Sequence, residues 1–150
     1  MRPVESGGVA FPGVERLLPH RAPALLVREI VRWDGEAVLC RGAVPEEHPL
    51  AEGGSAPVWL AIEMGAQAGA VLEALSRGGD REDGEPRLGY LVGLRGCTFH
   101  VPGLPVGGVL EVGARRIGGA GPLALFAVEV TGEDGGVLAS GQVSAYAAGS

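Results

Sequence analysis

The sequence predicts an α+β domain in which a curled antiparallel sheet wraps around one long central helix. Three observations carry this expectation. First, residues 58–77 form a breaker-poor stretch whose apolar side chains, from Val58, Trp59 and Leu60 through Val71, Leu72 and Leu75, point in every direction around a 3.6-residue period. A helix apolar on all sides is buried on all sides, and in so short a chain a surrounding sheet is the economical way to bury it. Second, strand-like segments flank this helix, two before it and four or five after it, separated by Gly, Pro and Asp turns. Third, 150 residues amount to one domain. A domain of that size buries roughly 68–70% of the surface its unfolded chain exposes, without a disulfide or metal staple.

The elements follow in order. Residues 1–13, rich in Gly and Pro, read as a flexible leader, and 14–18 as one helical turn. Residues 24–33 and 36–44 are strands joined by Asp34-Gly35, a strong hairpin signal. A loop follows with Glu46, Glu47, His48, Glu52 and Gly53-Gly54. Ser55 can then cap the helix, with Pro57 in its first turn. The small residues Gly65, Ala66, Gly69 and Ala70 would let neighbouring backbone approach closely. Residues 78–86 read as a charged surface loop. Beyond it come strands at 87–94, 97–101, 109–117, 123–131 and 137–147. The plan is one domain over 14–148 in the arrangement known as the hot-dog fold. Its sheet edge and the helix's open strip call for a second copy, so a dimer is expected.

Composition narrows the function. The net charge is −6 and every basic residue is Arg. An acidic chain without a basic stripe argues against nucleic acid and anionic membranes as partners. The apolar stretch 58–75 carries Glu63, Gln67 and Glu73 and does not read as a membrane span. Residues 1–13 lack the apolar run of a signal peptide. Cys40 and Cys97 lie in separate apolar segments without metal spacing, as free thiols suited to a reducing cytosol. Cytoplasmic location is the expectation. There is no phosphate-binding P-loop, no Gly-x-Ser-x-Gly elbow, and no glycine run opening a helix. Three scattered histidines offer no metal site.

Two residues stand out. Glu63 lies inside the apolar helix, read as about two turns past its start and beyond the first-turn dipole. There a carboxylate must pair, accept hydrogen bonds or stay protonated. Gln67, four residues on, shares its face and could share its network. His48 precedes Glu63 by 15 residues, close enough in sequence for loop and helix to fold back together. Imidazole suits proton abstraction near neutral pH, and a desolvated Glu suits proton donation. The bland alternatives are a Glu63 bonded to a backbone amide or an Arg, and a solvated His48. His20 reads as bonded to backbone where the first strand begins, His100 as weaker still, and Glu73 as part of a solvated face.

The run LPHRAPALLV at 18–27 closely resembles the opening LPHRxPxLLV motif of the 3-hydroxyacyl-[acyl-carrier-protein] dehydratases of type II fatty acid synthesis. Glu63-Met64-Gly65-Ala66-Gln67 is similar to that family's ExMAQ helix motif with the Met displaced by one position. Phe99, Pro102, Pro105, Val106, Gly108 and Leu110 echo a later Phe…Pro-Val…Gly-Asp-x-Leu pattern. The match runs from about 17 to 146. The resemblance implies a cofactor-free hydro-lyase that converts a 3-hydroxyacyl thioester on acyl carrier protein to the trans-2-enoyl thioester. The loop His and the helix acid would come from opposite subunits of a dimer. Carried over, His48 takes the Cα proton and Glu63 protonates the departing hydroxyl. Backbone N–H groups around Ala56, Pro57, Val58 and Trp59, together with Gln67, belong to the substrate-binding set. The acyl chain would lie along the Ala/Gly-rich helix, and phosphopantetheine would enter over an Arg-bearing rim.

The sequence departs from the pattern at Glu47-His48-Pro49-Leu50, where the family has Gly-His-Phe-Pro, and at Ala56-Pro57, where it has Pro-Gly. The His-to-Glu interval is one residue longer. This resembles a divergent subgroup tied to aryl-polyene and secondary-lipid pathways. A non-catalytic partner in a dehydratase heterodimer and a hot-dog acyl thioesterase are the alternatives.

Overall fold

The computed structural model describes residues 11–78 and 89–147. Most of the expected leader, most of the loop at 78–86 and the start of the strand expected at 87–94 lie outside them. The described residues open with a short helix α1 (Val14–Leu17), then strands β1 (Val27–Trp33) and β2 (Ala37–Gly42). A short strand β3 (Ser55–Pro57) precedes helix α2 (Leu60–Ser76), which is followed by β4 (Gly89–Phe99), β5 (Gly103–Pro105), β6 (Leu110–Ala120), β7 (Leu123–Thr131) and β8 (Val137–Ala147). Six strands form one antiparallel sheet in the order β1-β2-β6-β7-β8-β4, and β3 pairs with β5 alone. The helix packs against β1, β2, β6, β7 and β8 of the large sheet. This is the predicted hot-dog arrangement.

Local chemistry explains the elements. At the β1–β2 turn, Asp34 Oδ1 accepts hydrogen bonds from the N–H groups of Glu36 (2.9 Å) and Ala37 (2.8 Å). Gly35 supplies the left-handed backbone at φ +95°. Those two N–H donors also hold the Asp34 carboxyl below its ordinary pKa. On β7 the residues Ala124, Phe126, Val128 and Val130 alternate inward, as a strand with one buried face requires. Gly65 and Gly69 meet this row. A Cβ on Gly65 would stand 2.7 Å from Val128, and one on Gly69 2.8 Å from Phe126. The missing side chains are what let the helix sit flush on the sheet.

Four expectations need correction. The strands expected at 87–94 and 97–101 are one strand, β4, whose pairing with β8 shifts register between Leu91 and Gly93 and between Arg95 and Thr98. Gly96, at φ +61°, kinks the strand instead of ending it. Ser55 does not cap the helix, because Ser55–Pro57 is drawn into pairing with β5. The helix therefore starts at Leu60 rather than at 58, with Trp59 at the cap position and no side-chain cap. Glu63 is consequently in the first turn, where the helix dipole favours a carboxylate. Finally, α2 is not buried all round. Glu63, Ala66, Ala70 and Glu73 form a half-buried strip at alternating steps of three and four along one face.

The sheet ends in β1 on one side and β4 on the other. On β4 the side chains of Leu91, Val92, Leu94 and Phe99 are exposed, by up to 56%. An apolar strand with one edge unpaired is a template for pairing with another chain.

The helix–sheet contact yields a test. Gly65→Ala would gain about 1 kcal/mol in an open helical site through helix propensity. Here the new methyl meets the Val128 Cβ, and overpacking costs about 1–3 kcal/mol. Chemical denaturation should therefore show Gly65→Ala to be less stable than the wild type. A more stable variant would mean that the helix stands off from β7.

Candidate active site

The site is assembled on the half-open strip of α2. Met64 and Ala68 turn into the core and hold the helix in rotation, which leaves Glu63 at the boundary of the interior. One turn further on, Gln67 is 1% exposed and carries three hydrogen bonds. Its Oε1 accepts from the N–H groups of Leu26 (2.9 Å) and Val27 (3.1 Å). Its Nε2 donates to the Ala24 carbonyl at 2.7 Å. Gln67 thus clamps the segment preceding β1 onto the helix. The sequence reading placed Gln67 among substrate-binding groups. The structure commits its oxygen and one of its two N–H donors to the protein's own backbone, so its visible role is to build the wall of the site.

The clamped segment is the LPHRAP run. Arg21 braces it by donating to the carbonyls of Leu18 (2.9 Å), His20 (2.7 Å) and Glu15 (3.1 Å). The Ala22–Pro23 peptide is cis. His20, expected to bond backbone, does not do so through Nδ1, which is enclosed and has no hydrogen-bond partner. Burial lowers the His20 pKa from 6.5, the Glu63 carboxylate pulls it back up, and Arg21 adds to the lowering. Among the described residues no hydrogen bond or ion pair joins His20 to Glu63 of the same chain.

His48 sits in a tight loop. Its N–H donates to the Pro45 carbonyl (3.0 Å), its carbonyl accepts from Ala51 (2.9 Å), and its ring Nδ1 accepts from the Leu50 N–H (3.1 Å). The residue is only 8% exposed, so the alternative of a solvated loop histidine does not hold. A ring that accepts at Nδ1 carries its proton on Nε2 when neutral. In this loop the imidazole offers a donor at Nε2. Among the described residues no hydrogen bond joins His48 to Glu63 of the same chain.

The remaining expected site residues cluster where α2 begins. Ala56 is buried and opposite Leu104 in the β3–β5 pair. Pro57 has no N–H to offer a ligand. Val58 is half-buried, and Trp59 presents its ring to solvent at 53% exposure. Carbonyl-holding donors in this stretch must then come from 58 onward, at an uncapped positive helix end. Glu73, read as solvated, forms ion pairs with Arg77 at 3.6 Å and with Arg116 of β6. Cys40 is buried and Cys97 half-buried, both free, and burial pushes the Cys40 thiol up to about 12. A groove of about 630 Å³ beside Trp33 and Arg115 lies on the sheet face away from α2 and has no lining residue from that helix.

The ApeP-like family, described as ApeP dehydratase, matches residues 12–149. The dehydratase heterocomplex ApeI:P from Xenorhabdus doucetiae superposes with a TM-score of 0.79 at 30% identity, covering 91% of each chain. The 3-hydroxyacyl-[acyl-carrier-protein] dehydratase FabZ of Anaeromyxobacter sp. (strain K) is 33% identical over 99 residues, 62% of this chain. The chain spans 62% of the length of that relative. A hypothetical thioesterase protein with coenzyme A from Streptococcus pneumoniae TIGR4 shares the fold, with a TM-score of 0.58 at 15% identity over 81% of this chain and 85% of its own. Among the described residues no helix is long and apolar enough to cross a membrane.

The lowered His20 pKa gives the second test. Well above pH 6.5 the ring is neutral in folded and unfolded chains alike and contributes no difference. Below 6.5 the unfolded chain takes up the proton first, so stability is lost as pH falls toward the folded value. His20→Gln removes this linkage. Its unfolding free energy, followed by urea denaturation, should fall less between pH 7 and pH 5 than that of the wild type, and an equal fall would contradict the assignment.

Proposed function

Because this chain belongs to the ApeP-like dehydratase family, we propose that it dehydrates a 3-hydroxyacyl thioester carried on acyl carrier protein to the trans-2-enoyl thioester. The single observation that carries this reading is the seat of Glu63: a carboxylate in the first turn of a largely apolar helix, on a half-open strip that it shares with the small residues Ala66 and Ala70. Ala66 and Ala70 leave room along that strip for an acyl chain. Glu63 is the acid. It gives its proton to the 3-hydroxyl, the C–O bond breaks and water leaves. The partner's His48 is the base that takes the Cα proton, and N–H groups at the open end of α2, from Val58 and Trp59, hold the thioester oxygen as charge builds.

For His48 to accept at Nε2, its ring proton must sit on Nδ1, which requires release of the Leu50 N–H contact. That requirement supports a second reading, in which this chain is the non-catalytic member of a dehydratase heterodimer. The heterocomplex described for the ApeI:P relative supports the same reading. Either way the exposed apolar edge of β4 is the surface for a second subunit. The reaction needs no cofactor, and the setting is the cytoplasm. A thioesterase would use Glu63 to activate water. The fold neighbours at about 15% identity support only the shared architecture.

The test is to supply a 3-hydroxyacyl carrier protein to the pure protein and follow enoyl-thioester absorbance and free thiol. Enoyl product is expected, with Glu63→Gln slower by about 10²–10⁴-fold. Free thiol without enoyl product would make the chain a thioesterase. Product only after mixing with a sister dehydratase would make it the silent partner.

A further inference from the structure

The open strip of α2 has a far end that the dehydration scheme leaves unused. From Glu63 it runs past Ala66 and Ala70 to Glu73, where the small apolar lining gives way to a carboxylate. We propose that the ion pair between Glu73 and Arg116 is the end wall of the acyl site, closing the strip to longer apolar tails and selecting chains of medium length. Its meaning rests on the acyl path of the proposed function, while the ion pair itself lies within one chain.

Three features place the wall. The first is the position of Arg116. On β6 the side chains of Leu110, Val112 and Ala114 are buried, and Arg116 is the next residue of that row. It lies opposite Phe126 of β7, which is buried and sits where a Cβ on Gly69 of α2 would be. Directly opposed residues share a face of the sheet. A guanidinium therefore leaves the sheet on the helix side, in a row that is otherwise apolar.

The second feature is that this position is fixed. The Arg116 N–H donates to the Glu36 carbonyl at 2.9 Å, and a Cβ on Gly119 would stand 3.2 Å from its Nη2. The third is what the guanidinium meets. Its Nη1 donates to Glu73 Oε2, and Arg77 Nη1 lies 3.6 Å from Oε1 of the same carboxylate. The Arg116 and Glu73 side chains are 38% and 20% exposed, so the pair bridges sheet and helix at the edge of the interior.

The dimensions give the consequence. Between Glu63 and Glu73 the helix rises about 15 Å, the length of about twelve extended carbon–carbon bonds. With the hydroxyl carbon seated at Glu63, a chain of roughly 12–14 carbons fills the strip. A further methylene would gain no apolar contact and would strip water from a charged pair, which is unfavourable.

The test is a titration calorimetry series with saturated acyl pantetheine amides of increasing length, which are neither dehydrated nor hydrolysed as thioesters. In the wild type, affinity should rise about threefold to fourfold per methylene and stop rising at roughly 12–14 carbons. Arg116→Leu continues the apolar row of β6. It should bind the hexadecanoyl amide at least about tenfold more tightly than the wild type does. Arg116→Lys keeps a cation there and should keep the wild-type break. The octanoyl amide is too short to reach the pair, so its unchanged affinity shows that a variant is folded. Should Arg116→Leu lose octanoyl binding, Glu73→Gln makes the same test from the helix side, and its break should also move to longer chains. A wild type with no break or no binding, or a break that stays in place in the folded variants, overturns the wall. A break that moves as expected in a protein that dehydrates no 3-hydroxyacyl thioester upholds the wall and counts against the dehydratase reading alone.

Discussion

One amide holds the site together. The Gln67 side chain has two polar atoms, both are buried, and they meet the backbone of Ala24, Leu26 and Val27 in three hydrogen bonds. Removing them would leave two buried N–H groups and a carbonyl unsatisfied, each at about 1–3 kcal/mol. Through this contact the strand that begins the sheet and the helix at its centre share one register. Upstream of the clamp, Arg21 folds the LPHRAP run closed on the carbonyls of Glu15, Leu18 and His20. Gly42 reinforces the junction, since a Cβ there would stand 2.6 Å from the Leu26 carbonyl and 2.8 Å from Met64.

The second constraint is steric. Gly65 and Gly69 bring α2 into contact with β7, and the rotation they impose decides which residues stay on the open strip. A bulkier helix would roll or stand off, and Glu63 would leave the boundary between core and surface. The uncapped start of the helix has a related cause. Ser55–Pro57 is used as a strand, so no side chain shields the positive end of the helix, and the carboxylate in its first turn is what complements it.

Much of this was legible in the residues, and the exceptions have physical causes. The Asp34-Gly35 hairpin, the bounds of β7 and β8 and one long helix packed on the sheet followed from turn chemistry and hydrophobic period, whereas the burial of that helix on every side did not. The segments expected as strands at 87–94 and 97–101 join into one strand because a glycine within a strand, here Gly96, can bend it without ending it. The β3–β5 pair was invisible because three residues carry no period, and that omission moved the helix start and misjudged the Glu63 dipole environment. Glu63, Gln67 and His48 were singled out from residue type and motif. What sequence could not supply was direction: Gln67 facing backbone, His48 accepting from Leu50, and His20 with its Nδ1 enclosed and unpartnered all depend on three-dimensional register.

The central claim is that an acyl thioester meets the carboxyl of Glu63 on the open strip of α2. It is tested most directly by recording ¹³C carboxyl spectra of the glutamate-labelled protein while a 3-hydroxyacyl pantetheine thioester is added. The account predicts that the Glu63 resonance moves in a saturable way while Glu73, tied to Arg77 and Arg116 at the far end of the helix, stays in place. A Glu63 resonance that stays fixed while the thioester binds elsewhere would contradict it.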